Sequence, residues 1–508
     1  MEKIAYEVCL MLNEILSNTS AFLDSIPKAE RKKIGQFFTS KETAEYMATM
    51  FDFSKLPKEV SLLDAGAGTG ILSAALVERL EQETEIEAID LTCYENDPTV
   101  IPLLRKNLEY MASVTTKRFS FTLIEDDYLL TQAGEFEFRN IEDNTKKYDL
   151  IIGNPPYLRV LKDHQAALAM PSVVHGAPNL YFLFAAMGLF NLKNGCEMVY
   201  IIPRSWTSGA YFKAFRDYFL TDGKLEHIHL FISRDKVFSQ EQVLQETIIL
   251  KVKRTDKAPK NVLLTSSNSN YDFNNITELD VPYSSVVTGS ENYVFLPTTQ
   301  QDIDTIQKIN KFSKTMPDYG YKMKTGIIVD FRQYDDLRKE QEEHTLPVFY
   351  SQHIKNGRVN HEKSGKEYEW VVDSKPGLIQ DNKDYVFCKR FTAKEERRRL
   401  QCGIYLAADF PGFQKIGTQN KINFVERLDK KPQSKKMIFG IFALLNSTLF
   451  DNYYRILNGS TQVNSTEINS IPVPDCGLVE KIGQTLINQD DLSTEACDKA
   501  LEVAYGRT

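Results

Sequence analysis

No apolar run in this chain approaches the roughly 18 residues needed to cross a bilayer as a helix. The opening "MEKIAYEVCLMLNEIL" lacks the basic start and small-residue cleavage site of a secretion signal. Cysteine is sparse and scattered. The seven (Cys9, Cys93, Cys196, Cys388, Cys402, Cys476 and Cys497) are odd in number and form no CxxC pair and no Cys/His cluster. That argues against a disulfide framework and against zinc, and points to a reducing cytosol. Internal repeats and strongly low-complexity segments are lacking too. Positive charge is not in excess. A net charge of -8 excludes a uniformly basic nucleic-acid protein, but an average conceals local fields.

What is present is a chain of 508 residues, long enough for two or three domains, with an ordinary 42% hydrophobic content. Ile4, Val8, Leu12, Ile15 and Leu16 recur at helical spacing, so residues 1–34 are expected to be a helical segment. From about Val60 to Arg254, strand-like and helix-like segments alternate. "VSLLDAG", "EIEAIDLTCYE", "SFTLIEDDYL", "YDLIIGNPP", "CEMVYIIP", "KLEHIHLFI" and "VLQETIILKVKR" read as strands. Between them, "TGILSAALVERL", "PTVIPLLRKNLEYM", "NLYFLFAAMGLFNL" and "AYFKAFRDYFL" read as helices, with Pro98 in the first turn of its helix. Such alternation predicts an α/β fold with a doubly wound sheet whose ligands sit at the carboxyl ends of the strands. His227 and His229 alternate on one face of a predicted strand, which is more simply a strand face than a metal pair.

After about residue 255 the alternation fades. "TSSNSNYDFNNIT" reads as a link, "TGIIVDF", "LPVFYS", "CGIYLAADF" and "KINFVE" as short strands, and "MIFGIFALLNSTLFDNYYRIL" as a helix. Residues 381–440 hold 14 Lys/Arg against 7 Asp/Glu, densest in "CKRFTAKEERRRL". Alone, such a run is an ordinary solvated face.

The chemistry gathers where strands end. "DAGAGTG" joins a strand to a helix, and its glycines let a ligand approach the backbone. A glycine loop alone also serves dinucleotides. Here Asp64 precedes it, and a carboxylate repels phosphate but attracts an ammonium. That favours S-adenosylmethionine, which has an amino-acid end, a ribose and an adenine. The candidate cofactor contacts are Asp64, Ala65, Gly66 and Gly68, then Glu95 with Asn96 for the ribose, then Asp127 for the adenine amino group with Tyr128 as an apolar wall.

"NPPY" (Asn154, Pro155, Pro156, Tyr157) ends the fourth strand. Proline cannot donate to a sheet ladder, so the strand stops there. An amino group conjugated to an aromatic ring is a poor nucleophile, and two acceptors aimed at its N–H bonds draw it toward tetrahedral geometry. The Asn154 side-chain oxygen can be one. The Pro155 carbonyl can be the other, its direction restricted by Pro156. Tyr157 can stack on the ring. Positioning and electrostatics would then supply most of the rate.

In these motifs and their order the chain resembles the gamma-class, TaqI-like N6-adenine DNA methyltransferases of bacterial type II restriction–modification systems. The resemblance runs from about Gly35 to Arg254 and takes in "GQFFTS", "DAGAGTG", "YEND", "EDDY", "NPPY", "NLYFLF", "IIPRSW" and "KVFSQEQVLQETIIL". It implies a class I S-adenosylmethionine-dependent methyltransferase domain at 35–260 and a mixed α/β target-recognition domain at 261–508. It also implies that Phe38 and Thr39 lie near the methionine end of the cofactor, with Asn154 at the same site, and that Phe238 holds the target base opposite Tyr157. Double-stranded DNA is the implied partner, entered by base flipping at a cost of a few kcal/mol. A bacterial cytoplasmic monomer with no membrane contact and no obligate protein partner would suffice. The basic run would face DNA, with Lys389, Arg390 and Arg398 as candidates within it. About 34 residues before "GQFFTS" are too few for a nuclease domain, so a stand-alone modification enzyme is expected. NPPY does not by itself choose the acceptor. Methyltransferases of protein glutamine amides carry it and RNA-modifying enzymes carry related motifs, and a non-catalytic DNA-binding relative is a further alternative.

Overall fold

The computed structural model describes residues 11–25, 39–138, 145–232, 247–393, 395–458 and 461–506. The chain divides into two compact units: Met1–Thr207 with Tyr211–Thr298, and Thr299–Thr508 with the short piece Ser208–Ala210.

The N-terminal unit is built on a nine-stranded sheet. Its strands are β1 (Glu59–Ala65), β2 (Ala88–Tyr94), β3 (Arg118–Ile124), β4 (Tyr148–Gly153), β5 (Leu192–Pro203), β6 (Gly223–Phe231), β7 (Thr247–Arg254), β8 (Asn261–Ser267) and β9 (Thr277–Pro282). They lie in the order β3-β2-β1-β4-β5-β7-β6-β8-β9. β3 through β5 are parallel, and β7 enters antiparallel between β5 and β6. This is the doubly wound sheet of the class I methyltransferase fold. The order in which strands are added reverses between the parallel neighbours β1 and β4, so the ends of those two strands flank the switch point where such sheets bind ligands.

Helices α1 (Met11–Ser25), α2 (Lys41–Thr49), α3 (Ile71–Glu81), α4 (Ile101–Val114), α5 (Leu180–Asn191) and α6 (Lys213–Asp222) accompany the sheet. Ser40 caps α2, accepting from the Thr43 amide. Met11, Leu12 and Ile15 of α1 are buried in one core with Leu76 and Leu80 of α3, Leu104 and Leu108 of α4, and Leu62 of β1. The α1 helix is therefore part of this unit's packing, whereas the sequence suggested a separate segment; Ile4 and Val8 lie outside the described residues.

Two other expectations for this unit are corrected. The boundary expected at 260/261 falls inside the sheet, because β8 pairs with β6 and β9 with β8, and the "TSSNSNYDFNNIT" stretch connects those two strands. Pro98 precedes α4, and Pro102 holds the first-turn position, where a missing N–H costs nothing. Strand β4 itself ends on Gly153 for a steric reason: a Cβ there would lie 2.5 Å from the Tyr200 ring of β5.

The C-terminal unit holds a six-stranded and a five-stranded sheet with helices that include Gln300–Asn310, Lys435–Asn446, Thr448–Leu457, Cys476–Gln489 and Thr494–Tyr505. Here "LPVFYS", "CGIYLAADF" and "KINFVE" supply strands Thr345–Phe349, Cys402–Tyr405 and Ile422–Arg427. "TGIIVDF" does not form its own strand. The strand Tyr321–Thr325 ends before it, since Gly326 packs against backbone: a Cβ would lie 2.2 Å from the Gln419 carbonyl oxygen. The expected long helix is two helices, broken at Ser447, whose extended backbone and side chain cap the second.

Candidate active site

A cleft of about 220 Å³ opens at the switch point, lined by the loops after β1, β2, β3 and β4. The turn after β1 needs glycine, since Gly66, Gly68 and Gly70 have φ of 71°, 56° and 87°. A Cβ on Gly68 would meet no atom within 4 Å, so this backbone faces open space that a ligand can fill.

Of the residues singled out in the sequence, the structure brings Thr39, Gly66, Gly68, Glu95, Asn96, Asp127, Tyr128, Asn154, Pro155 and Pro156 to this one cleft. Glu95 is buried and firmly held. One oxygen accepts from the Gly68 amide at 2.9 Å, and the other accepts from Asn96 and Asp97 amides at 2.9 Å each. Burial pushes its carboxyl upward, against those three hydrogen bonds. Asp127 accepts from the Leu129 and Leu130 amides, which fixes the turn after β3. The Tyr128 hydroxyl points into the core, donating to Asn191 Oδ1 at 2.7 Å, and its ring packs between Tyr94 and Phe184.

Asp64 and Ala65 are placed differently from the expectation. Neither is among the residues on the cleft wall. Asp64 lies beneath the glycine loop, 1% exposed, with Oδ2 accepting from Ser73 Oγ at 2.7 Å and Oδ1 buried without a hydrogen-bond partner among the described residues. Burial pushes its carboxyl up to about 7. The strand carries the Asp64 side chain toward α3, which puts a direct ammonium contact out of its present reach and leaves it a supporting position.

At the end of β4, Asn154 Nδ2 donates to Thr39 Oγ1 at 3.2 Å. The Tyr157 hydroxyl lies 2.8 Å from Asn154 Oδ1 and 3.0 Å from the Ile201 carbonyl oxygen, and its single proton serves one of the two at a time. Burial, with Tyr181 edge-on beside it, holds the Tyr157 phenol well above its usual range, so it stays a donor. Tyr157 is not on the wall of the cleft; it braces Asn154 from the side. Phe38 and Phe238 lie outside the described residues.

The sequence reading missed Tyr94, Asp97, Asp126 and Phe184, which also line the cleft. Asp97 follows Asn96 and Asp126 precedes Asp127, and the positions beside a candidate strand end are the signal that could have found them. Phe184 sits in the uniformly apolar α5, where no polar face shows which residue meets a ligand. The electrostatics are one-sided. Among the described lining residues, Glu95, Asp97, Asp126 and Asp127 are carboxylates and none is Lys or Arg. This donor set suits a cationic ligand with ribose hydroxyls and opposes a pyrophosphate, so the residues present fit S-adenosylmethionine.

His227 and His229 contact Thr265, and His229 also contacts Ser267, as the ordinary buried strand face expected of them does. The expectation for the basic run changes. In the basic run, Arg399 is fully buried. Arg398 donates to the Ser447 carbonyl and Thr494, Arg390 to the Asn420 carbonyl and Gln462, and Lys389 to Gln401. These side chains fasten the 389–400 segment to its own unit, so the run is not one DNA-facing surface. In the same unit His353, His361 and Glu369 cluster. His353 Nδ1 accepts from the Tyr350 amide, so its ring proton sits on Nε2, 3.6 Å from Glu369 Oε2: a neutral histidine beside a carboxylate, not an open ligand set.

Comparisons with known proteins identify the chain's relatives. Residues 76–238 match the family model described as Eco57I restriction-modification methylase. The chain is 31% identical over 492 residues to the type II methyltransferase M.PstI of Providencia stuartii, covering 95% of each chain. It is 30% identical over 480 residues to the type II methyltransferase M.BsuBI of Bacillus subtilis, covering 93% of this chain and 94% of that one. A tRNA1(Val) (adenine(37)-N6)-methyltransferase of Haemophilus influenzae is 29% identical over 97 residues, 19% of this chain and 34% of its own.

Proposed function

Because the chain belongs to the type II methyltransferases of restriction–modification systems, we propose that it methylates the N6 amino group of adenine in double-stranded DNA at a specific site, marking that DNA against a cognate endonuclease. One observation carries the reading: Asn154 and the two prolines stand on the wall of a carboxylate-lined cleft at the switch point of the sheet. S-adenosylmethionine, when bound, supplies an electrophilic methyl group on a sulfonium sulfur. Glu95 would hold its ribose hydroxyls, the Asp126–Asp127 turn its adenine amino group, and the Gly66–Gly68 backbone and Thr39 its amino-acid end.

The remaining work falls to this chain's own residues. Asn154 Oδ1 and the Pro155 carbonyl accept the two N–H bonds of the target amino group, which draws the nitrogen lone pair out of ring conjugation. Donation from Tyr157 competes for Asn154 Oδ1, and the Ile201 carbonyl offers the tyrosine proton another acceptor as the target arrives. Thr39 fixes the amide orientation by accepting from Asn154 Nδ2, which leaves the oxygen as the acceptor. The gain is electrostatic and comes without reorganisation at the moment of reaction.

The test is transfer of labelled methyl groups from S-adenosylmethionine to duplex DNA, to transfer RNA and to a protein with a glutamine acceptor. Label on the DNA is expected. Label confined to RNA or protein would overturn the reading. The tRNA-modifying relative matches only 19% of this chain and the type II enzymes match 93–95%, which supports the DNA acceptor.

A further inference from the structure

The C-terminal unit carries the most exposed large apolar residue among those described: Phe331, 80% exposed, with Tyr334 at 61% and Ile327 at 41% in the same loop. The loop is not loosely held. Gly326 packs against the Gln419 backbone, with no room for a side chain. The Ile327 and Ile328 amides donate to the Thr418 carbonyl at 2.9 and 3.0 Å, and the Asn420 amide donates to the Ile328 carbonyl at 2.8 Å. Gln419 Nε2 donates to Asp330 at 2.9 Å, and the Val329 amide donates to Gln333 Oε1 at 2.6 Å. Ile328 is fully buried in the core of the five-stranded sheet. A chain that fixes both sides of Phe331 and leaves the ring in water, with Arg332 beside it at 5.6 Å, presents that ring to something.

The neighbouring surface indicates what. The loop's Ile327 lies on the wall of a cleft of about 250 Å³ that Lys324, Lys383, Arg427, Lys430 and Lys431 also line. The carboxylates on that wall are Asp381 and Glu426, so cations outnumber them. Lys430 and Lys431 are 68% and 74% exposed, and their ion pairs to Glu426 and Asp429 stand at 4.0 Å, weak enough to exchange for phosphate.

We propose that this loop presents Phe331 as a rigid apolar wedge into duplex DNA, while the adjoining basic cleft takes the phosphate backbone. Apolar wedges of this kind enter between base steps and unstack them, and a ring already fixed in place loses little freedom on entering. The inference rests on the DNA reading above and goes beyond it in naming the contact.

The experiment measures equilibrium binding and methyl transfer with sheared, unmodified bacterial genomic DNA for the full chain. It compares wild type, Phe331→Ala, Phe331→Leu and the double variant Lys430→Ala with Lys431→Ala. Phe331→Ala is expected to weaken DNA binding and raise the KM for DNA by roughly tenfold or more, leaving the salt dependence unchanged. Phe331→Leu, still a wedge, is expected to recover most of the loss. The double lysine variant is expected to lower the slope of log affinity against log salt by about 1 to 2. Affinity for S-adenosylmethionine should match wild type throughout, which shows that the variants fold. Phe331→Ala equal to wild type on DNA that the wild type methylates would overturn the wedge and leave the DNA reading standing. So would Phe331→Leu as weak as Phe331→Ala. Wild-type protein that neither binds nor methylates DNA would overturn both.

Discussion

In the proposed reaction the chemistry concentrates at Asn154. Its amide is oriented from two sides, by Thr39 on nitrogen and Tyr157 on oxygen. Asn154→Ala is expected to cut methyl transfer by roughly 100-fold or more while DNA affinity changes little, checked by single-turnover kinetics beside a binding assay. Tyr157→Phe keeps the ring and removes the competing donor, so a change in kcat of about tenfold or less is expected. A loss equal to that of Asn154→Ala would place catalysis on the hydroxyl. Asp64 gives a pH prediction. Its carboxyl is raised to about 7 from an ordinary 3.8, so its protonated form stabilises the fold fully below about pH 4, and that contribution is lost as pH rises through 7. The amount is on the order of 4 kcal/mol. Asp64→Asn removes the titration, so the thermal midpoint of cofactor-free wild type should fall between pH 5 and pH 8 by roughly 5 °C more than that of the variant. Equal falls would contradict the burial argument. Most of this site was legible because short motifs at strand ends mark their own location. Asp64 was misplaced because sequence shows that a carboxylate ends a strand, not that α3 covers it with Ser73.

Most elements of the N-terminal unit were legible because their apolar residues recur at strand or helix spacing, or form a short unbroken run as in β4, between glycine, proline or polar turns; α2, β8 and β9 lie outside the alternating stretch from Val60 to Arg254 and were not read. The C-terminal unit was less so. Many of its strands are only two to five residues long, and the basic run that looked like a solvated surface has Arg399 in the core. Its helix packing also rests on a feature that no period reveals. Cys476–Gln489 and Lys435–Asn446 approach through Gly483 and Gly440, where a Cβ would lie 1.8 Å from the Lys436 carbonyl oxygen and 2.1 Å from that of Val479. Backbone cannot yield as a side-chain end can, so Gly483→Ala is expected to destabilise the protein by about 1–3 kcal/mol, read from the midpoint of denaturant unfolding. An unchanged midpoint would mean that the helices part without cost.

At the scale of the whole molecule, a chain with net charge -8 is assigned an anionic partner. The charge is divided locally: acids line the candidate cofactor cleft, and cations outnumber acids in the cleft that Ile327 lines. DNA affinity should therefore fall steeply with salt, with the slope set by local phosphate contacts and not by the net charge. A salt-independent affinity would contradict that division. The resemblance to type II enzymes along nearly the full length agrees with a modification enzyme whose two units both serve one reaction. The most direct test of the central claim is mass spectrometry of nucleosides released from duplex DNA after incubation with S-adenosylmethionine and either wild type or Asn154→Ala. N6-methyladenine is expected with the wild type and none above background with the variant. A methylated cytosine, or N6-methyladenine formed equally by Asn154→Ala, would contradict the account.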